Sequence, residues 1–185
     1  MGAAERETIL RQRASLAEAF DACRPFLEVG EPLWSARPAP DAWSIREVLE
    51  HVTLTDRYLL ILVDKIAARC RKRRGSDASP GAPTASASDL QRIAGREFAW
   101  THPEHMTPTG RVERAELASR LDGDRARCLG LLDEFADGAG ALHSIRMSVV
   151  DARLDLYGFL QVIDLHARRH VRQMERNRAR LAPGN

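Results

Sequence analysis

Four long stretches of this chain carry apolar residues at intervals of three and four, and this spacing restricts the fold more than any other feature of the sequence. It places the apolar side chains along one side of an α-helix. The stretches cover about 4–23, 45–72, 112–136 and 151–181, and no sustained alternation typical of β-strands accompanies them. The pattern therefore predicts an all-α protein whose four helices bury their apolar sides against one another.

The segments between the predicted helices are long and rich in residues that interrupt helices. Residues 75–89 consist mainly of Gly, Pro, Ala and Ser and predict a flexible loop. A short helix is predicted over about 89–95, and residues 139–149 are expected to be irregular. Because a chain of 185 residues suits one domain, we expect a four-helix bundle with long crossover connections, forming a single domain over residues 1–185.

The second predicted helix carries a specific start signal. Ser44 precedes the helical spacing, and Glu47 follows three residues later. This is the pattern of a capping box, in which each side chain bonds the other residue's backbone N–H. We therefore expect this helix to begin at residue 45.

Composition argues against several classes of partner. The net charge of +2 is too small to indicate a nucleic acid, and the basic run at 69–75 fits a solvated helix end. The longest apolar run, 58–63, is too short to cross a bilayer. Cys23, Cys70 and Cys128 form no C-x-x-C pair, and the charged N-terminal segment lacks the apolar core of a signal peptide. We expect a cytoplasmic protein without nucleic-acid or membrane partners.

Two histidines, His166 and His170, lie four residues apart in the fourth predicted helix. The apolar stripe of this helix consists of Leu156, Phe159 or Leu160, Ile163, Ala167, Val171 and Met174. A spacing of four stacks the two rings on one face, on or beside the stripe and about 6 Å apart along the axis. Two such imidazoles can bind one metal ion; hydrogen-bonded core histidines are the other interpretation.

The second predicted helix supplies a third imidazole. His51 lies at the edge of the apolar stripe that includes Val48 and Val52. Packing of this helix against the fourth would bring His51 to His166 and His170, and three protein ligands leave open positions on a metal, as in catalytic sites. Taken alone, His51 is more simply interpreted as a hydrogen-bonded residue beside the core.

Three segments resemble a known family, the DinB/YfiT superfamily. DAWSIREVLEHV, residues 41–52, is similar to the family's W-S-x-x-E-x-L-x-H segment. TPTGRVERAELASRLDGDRARCLGLL, residues 107–132, is similar to the segment that enters its third helix. HARRHVRQM, residues 166–174, resembles its closing H-x-x-R-H-x-x-Q segment. The resemblance extends over about residues 10–178.

The resemblance implies a four-helix bundle that forms a homodimer and holds one divalent metal ion through His51, His166 and His170. It also implies a small-molecule substrate, since some relatives are transferases or isomerases that use a low-molecular-weight thiol. Three imidazoles suit zinc, nickel, iron or copper. We expect zinc or nickel, with iron or manganese as alternatives.

Further residues are candidates for the surroundings of the metal. Gln173 can hydrogen-bond a metal-bound water or orient a ligand, or it can lie at the surface. Trp43 can wall the cavity or pack at the start of the second helix. Asp56 can support the metal ligands or be an exposed helix residue. His102 and His105 depart from the family pattern and form either an accessory metal or substrate site or a pair of ordinary loop histidines.

Two functions are compatible with these features. The first is a metal-dependent enzyme, a thiol-dependent S-transferase or related hydrolase, in which the metal acts on a thiolate or a water molecule. The second is a non-catalytic metal-binding or stress-related dimeric bundle that acts through binding. The sequence identifies no general base. An open coordination position facing a pocket would favour the enzyme.

Overall fold

The computed structural model describes residues 2–75, 85, 90–91, 103–148 and 151–182. Within these residues the chain forms four long α-helices: α1 Ala3–Asp21, α2 Ile45–Arg73, α3 Arg114–Glu134 and α4 Leu156–Leu181. The predicted bounds of the first three helices are correct to within two residues at each end. The structure confirms the all-α class and the four-helix bundle.

The helices are arranged so that α1 and α2 each pack against both α3 and α4. Consequently α1 and α2 lie at diagonal corners of the bundle. Asp64 of α2 pairs with Arg127 of α3, and further along Arg71 pairs with Glu134 at 2.6 Å. Because residue numbers rise together in these pairs, α2 and α3 run parallel. Two consecutive parallel helices need a connection that returns along the bundle, which confirms the predicted crossover.

The core is built from aliphatic and phenylalanine side chains of all four helices. The largest fully buried ones include Leu16, Phe20, Ile45, Leu49, Leu59, Ile66, Leu117, Leu121, Phe135 and Phe159. One apolar residue of α1, Leu10, faces solvent and is 58% exposed. Its neighbour Ile9 is buried, and the turn of the helix between adjacent residues carries Leu10 away from the core.

The start of α2 is fixed by its side chains, as predicted. Ser44 accepts a hydrogen bond from the backbone N–H of Glu47, and the Glu47 carboxylate accepts one from the backbone N–H of Ser44. The two bonds form a capping box. Arg37, from the preceding connection, adds an ion pair to the same carboxylate. These contacts define the residue at which α2 begins, and therefore the position of His51 along the bundle axis.

The segment before α4 differs from the prediction. Residues 145–147 and 152–154 form two short antiparallel strands, β1 and β2, and a 3-10 helix precedes them at Ala139–Leu142. The expectation that 139–149 are irregular and that the fourth helix begins at 151 is therefore wrong. Asp155 is the residue before the helix, and its side chain accepts from the N–H of Gly158 at 2.8 Å. The helix consequently begins at Leu156.

Two other expectations concern the regions around α2. The predicted loop at 75–89 and the predicted short helix at 89–95 lie mostly outside the described residues. The basic run at 69–75 includes the last turn of α2, where positive charge is favoured by the helix dipole. None of the helices in the described residues combines the length and the apolar composition that a bilayer crossing requires.

Candidate metal centre

Three histidines meet where α2 packs against α4. His51 lies near the start of α2, and His166 and His170 lie in the middle of α4. The ring centre of His51 is 5.2 Å from that of His166 and 4.9 Å from that of His170, and the latter two are 4.4 Å apart. One ring nitrogen of each residue lies within 4.8 Å of the other two. The structure thus brings together the three histidines that the sequence indicated.

The cluster lies inside the bundle. His51, His166 and His170 are 5%, 2% and 6% exposed. Among the residues that the structure describes, no other group of three or more His, Cys, Asp or Glu side chains is close enough to hold one metal ion. The cluster contains no acidic side chain. As long as no ring carries a second proton, the three imidazoles are neutral and offer a metal ion three nitrogen ligands.

Burial keeps two of the rings neutral. It lowers the pKa of His166 well below the ordinary 6.5, and repulsion from His170 and His51 acts in the same direction. Burial also lowers the pKa of His170 to about 3, again helped by His51 and opposed by Gln173. A metal binds the unprotonated form of imidazole. The low pKa values therefore hold both side chains in the form that a metal requires.

A backbone contact orients His51. Its Nδ1 lies 2.8 Å from the carbonyl oxygen of Met106. Because a carbonyl can only accept, Nδ1 carries the hydrogen and donates it. The proton-free nitrogen of a neutral ring is then Nε2. Such a bond at one ring nitrogen fixes the tautomer and leaves the other nitrogen available to a metal.

Gln173 orients His170 in the same way. The Nδ1–H of His170 donates to Oε1 of Gln173 at 2.9 Å. Gln173 is only partly exposed and also lines the cavity at the histidines. Gln173 therefore contacts His170, a side chain that is a candidate metal ligand. An amide oxygen in this place sets the ring angle and leaves Nε2 of the neutral ring free to coordinate.

The loop that carries Met106 is held by a buried carboxylate of α2. Glu50 is 1% exposed and accepts hydrogen bonds from the backbone N–H groups of Thr109 and Gly110, at 2.9 and 2.7 Å, and from the Thr109 hydroxyl. Glu50 precedes His51 in the chain. The same turn of α2 thus supplies one imidazole and fixes the loop whose carbonyl group orients that imidazole.

A cavity of about 200 Å³ opens beside the three rings. Apart from the histidines, it is lined by Trp43, Thr55, Met106, Arg169 and Gln173. The Trp43 ring lies 4.7 Å from the His51 ring and also packs against the core. Trp43 therefore walls the cavity while it packs at the start of α2, and both interpretations of this residue describe part of its position.

The sequence analysis missed three of these lining residues. Thr55 follows His51 by four residues, so the helical spacing could have indicated it. Arg169 lies within the segment that resembles the family, but only the structure shows that its side chain lines the cavity together with His166 and His170. Met106 contributes a backbone carbonyl from a loop, and no side-chain pattern signals such a group.

Arg169 brings positive charge to the cavity wall. Burial lowers its pKa below the ordinary value of an arginine, and repulsion from Arg176 adds to this effect. The charge of Arg169 also contributes to the lowered pKa values of His166 and His170. A cation held in a partly buried cavity stabilises an anion there more than it would in water.

Asp56 lies elsewhere than expected. It is 0% exposed, so the interpretation as an exposed helix residue is wrong, and it is not among the residues that line the cavity. Its charge is felt by the thiols of Cys23 and Cys128 and its own pKa is raised by burial and by Asp124. Asp56 therefore faces the interior between α2, α3 and the end of α1.

Two other histidines in the described part of the chain, His105 and His143, lie outside the cluster. His105 is exposed, and its ring lies 5.2 Å from that of Tyr58. His102 lies outside the described residues. His143 is partly buried in the segment between the 3-10 helix and β1. In the described part of the chain, the structure thus joins neither His105 nor His143 to the candidate centre.

The divalent metal that the resemblance implies fits these residues. His51 and His170 each donate through Nδ1 to a fixed acceptor, which directs the other nitrogen of each ring to the cluster. Buried neutral imidazoles suit zinc, nickel, iron or copper. The residues that would hold the ion are His51, His166 and His170, with the cavity on their open side.

Comparison with known proteins agrees with this geometry. The family model of the DinB superfamily matches residues 8–174, which is most of the chain. No curated protein and no solved structure matches it. The matched region includes all of α2 and the three histidines of the cluster. The chain therefore belongs to the DinB superfamily.

Proposed function

We propose that this protein is a metal-dependent enzyme that acts on a small molecule, either a thiol-dependent S-transferase or a related hydrolase. The observation that carries the proposal is the buried set of His51, His166 and His170 at the wall of a cavity of about 200 Å³. Three protein ligands leave positions on a metal for a substrate. The adjoining cavity gives a small substrate room to reach them.

The residues around the cluster have separate tasks under this proposal. When bound, a divalent metal would lower the pKa of a coordinated thiol or water molecule and so supply a nucleophile at neutral pH. Met106 and Gln173 keep two of the imidazoles in position through hydrogen bonds. Arg169 stabilises negative charge at the cavity wall. This cationic lining favours a thiolate over a neutral nucleophile.

Metal content tests the site. Protein purified without an affinity tag should contain close to one divalent metal ion per chain, with zinc or nickel expected and iron or manganese as alternatives. His166→Ala should lose the metal, because two imidazoles remain, and should keep its helical circular-dichroism spectrum. His105→Ala is the matched control, since His105 is exposed and outside the cluster. Equal metal content in the two variants would contradict the assignment.

Turnover tests the activity. The metal-loaded protein should consume low-molecular-weight thiols in the presence of electrophiles, and His166→Ala should abolish this reaction. The rate should fall when a chelator removes the metal and recover when the metal is restored. Stoichiometric metal without turnover across a broad panel of thiols, electrophiles and esters would count against an enzyme.

A second candidate function is a non-catalytic metal-binding or stress-related bundle that acts as a dimer through binding. It is favoured by the cavity lining, which within the described residues contains no Asp or Glu to serve as a general base. A metal with a structural role would stabilise the folded state strongly, because it binds that state and not the unfolded chain. A large drop in melting temperature on chelation, without any turnover, is the result expected of this alternative.

We also propose that the protein is a cytoplasmic homodimer. Three large apolar side chains remain exposed in the described residues, namely Leu10, Tyr58 and Ile61, and these are candidates for a subunit contact. The three cysteines are free and buried, which suits a reducing compartment. Light scattering should give the mass of two chains, and the mass of one chain at micromolar concentration would contradict the dimer.

A further inference from the structure

A second cavity lies beside the first along α4. It has a volume of about 310 Å³. Arg169 and Gln173 line both cavities, so the two spaces adjoin at these side chains. Pro38 and Ala42, from the connection between α1 and α2, form the opposite side of the second cavity.

Four arginines of α4 line the second cavity, namely Arg169, Arg172, Arg176 and Arg180. Their intervals of three and four residues place them on one face of the helix. The position of this face is fixed, because the Asn177 side chain donates to the carbonyl oxygen of Trp43 at 2.8 Å. The cavity wall is therefore a strip of positive charge that begins at the histidine cluster and extends toward the end of α4.

The helix dipole explains only part of this strip. It favours cations in the last turn of a helix, and so accounts for Arg180 at the end of the strip. Arg169 and Arg172 lie in the middle of α4, where like charges on one face repel each other. An anion between them would turn this repulsion into attraction.

Two further arginines of α4 lie outside the second cavity. Arg168 pairs with Asp164 at 2.7 Å, and the Arg178 guanidinium lies over the Phe26 ring at 5.5 Å from its centre. Both residues point away from the second cavity, since they are not part of its lining.

We propose that the second cavity binds the anionic group, a carboxylate or a phosphate, of the small molecule whose reacting end lies at the three histidines. This inference rests on the proposed function for the position of the reacting end. Guanidinium groups bind both anions through paired N–H donors. Arg176 lies six residues beyond His170, about 9 Å along the helix axis. The substrate is therefore an elongated anion with its charge roughly this far from the reacting atom.

Two thiols of equal length test the proposal. The full-length protein loaded with Co²⁺ is titrated with 8-mercaptooctanoate and with 8-mercaptooctan-1-ol, and thiolate binding is followed by the sulfur-to-cobalt absorption. The carboxylate should bind about ten- to a hundredfold more tightly than the alcohol, as expected for a hydrogen bond to a charged group. In Arg172→Gln/Arg176→Gln this preference should be largely lost. Arg178→Gln, a single charge change on the same helix outside the cavity, should retain it.

Three results would overturn the second cavity as an anion site. These are equal binding of the two thiols by the parent protein, a preference that survives in Arg172→Gln/Arg176→Gln, and a preference that Arg178→Gln removes as completely as the double variant does. The first result would show that charge is not recognised. The other two would show that it is recognised elsewhere or through net charge alone.

A second titration separates this inference from the proposed function. Inorganic phosphate is titrated by calorimetry into the metal-free protein and into Arg172→Gln/Arg176→Gln. Saturable binding that the double variant loses supports the anion site even if neither thiol binds the cobalt protein, and then the proposed function alone fails. Carboxylate preference without phosphate binding identifies the group as a carboxylate. If both thiols bind, absence of carboxylate preference refutes the site, and if neither binds, absence of phosphate binding refutes it.

Discussion

Replacement of Asp56 by Asn should raise the free energy of unfolding by an amount that grows with pH. Asp56 is 0% exposed, and within the described residues neither of its carboxyl oxygens has a hydrogen-bond partner. Burial, with Asp124 nearby, raises its pKa well above the ordinary 3.8. The thiols of Cys23 and Cys128 face the same space and their pKa values are raised by burial and by Asp56. The folded protein therefore keeps this carboxyl group neutral where the unfolded chain ionises it.

The magnitude follows from proton linkage. Between pH 3.8 and the raised pKa of Asp56, the folded state holds one proton more than the unfolded state. Each pH unit in this range lowers the free energy of unfolding by about 1.4 kcal/mol. The loss between pH 4 and pH 7 is therefore at most about 4 kcal/mol. Asn has the same shape and does not titrate, so Asp56→Asn should resemble the parent at pH 4 and exceed it by up to about 4 kcal/mol at pH 7.

Urea unfolding, followed by circular dichroism in the presence of a chelator, measures this difference at pH values from 4.5 to 7.5. Groups that titrate in both proteins and do not interact with Asp56 cancel in this difference. Asp64→Asn removes the same type of carboxyl group at a half-exposed position that is paired with Arg127, and as the control it should not reproduce the gain of Asp56→Asn. A constant difference between Asp56→Asn and the parent across this range would refute the reasoning.

Four further substitutions test the surroundings of the centre and the packing of the bundle. Gln173→Ala removes the acceptor of one candidate metal ligand and should weaken metal affinity about ten- to a hundredfold in a metal titration, with little change in urea unfolding. Glu50→Ala leaves two backbone N–H groups of the neighbouring loop without their acceptor and should lower the unfolding free energy by about 1–3 kcal/mol, as well as weaken metal binding. Gly140→Ala would place a Cβ 2.7 Å from the Tyr157 ring and should cost about 1–3 kcal/mol in urea unfolding. Gly130→Ala, inside α3 with nothing within 4 Å, should instead stabilise by up to about 1 kcal/mol.

Each of these substitutions has an outcome that contradicts its reasoning. Unchanged metal affinity in Gln173→Ala would show that the contact to His170 does not orient the ring for a metal. If Glu50→Ala lost stability without weaker metal binding, the loop that Glu50 holds would have no effect on the metal centre. Equal effects of Gly140→Ala and Gly130→Ala would mean that the close approach of Tyr157 carries no cost.

The parts that the sequence predicted depend on local rules. The spacing of His166 and His170 is a property of a single helix, and it holds whatever the helix packs against. The capping box of Ser44 and Glu47 spans three residues and is present as predicted. The place of His51 needed one further assumption, that α2 packs on α4, and the family resemblance supplied the same three residues independently.

The parts that were missed depend on contacts between distant segments. Strands β1 and β2 have three residues each, too few to show an alternating pattern, and they form because they pair with each other. The carbonyl of Met106 has no side-chain signature, although it orients His51. Asp56 was expected at the surface because aspartate is rarely buried without a partner, and only the packing of the bundle places it inside.

The register between α2 and α4 connects the fold to the centre. The bond from Asn177 to the Trp43 carbonyl ties a late turn of α4 to the residue before the capping box of α2. His51 lies about 12 Å along α2 from Trp43. Because the two helices run antiparallel, the same distance back along α4 from Asn177 reaches a point between His166 and His170. A slip of one helical turn, about 5.4 Å, would move the ring of His51 past the other two. The capping box and the Asn177 contact therefore hold the three imidazoles at one height, and the arginine strip of α4 is kept in line with them by the same contact.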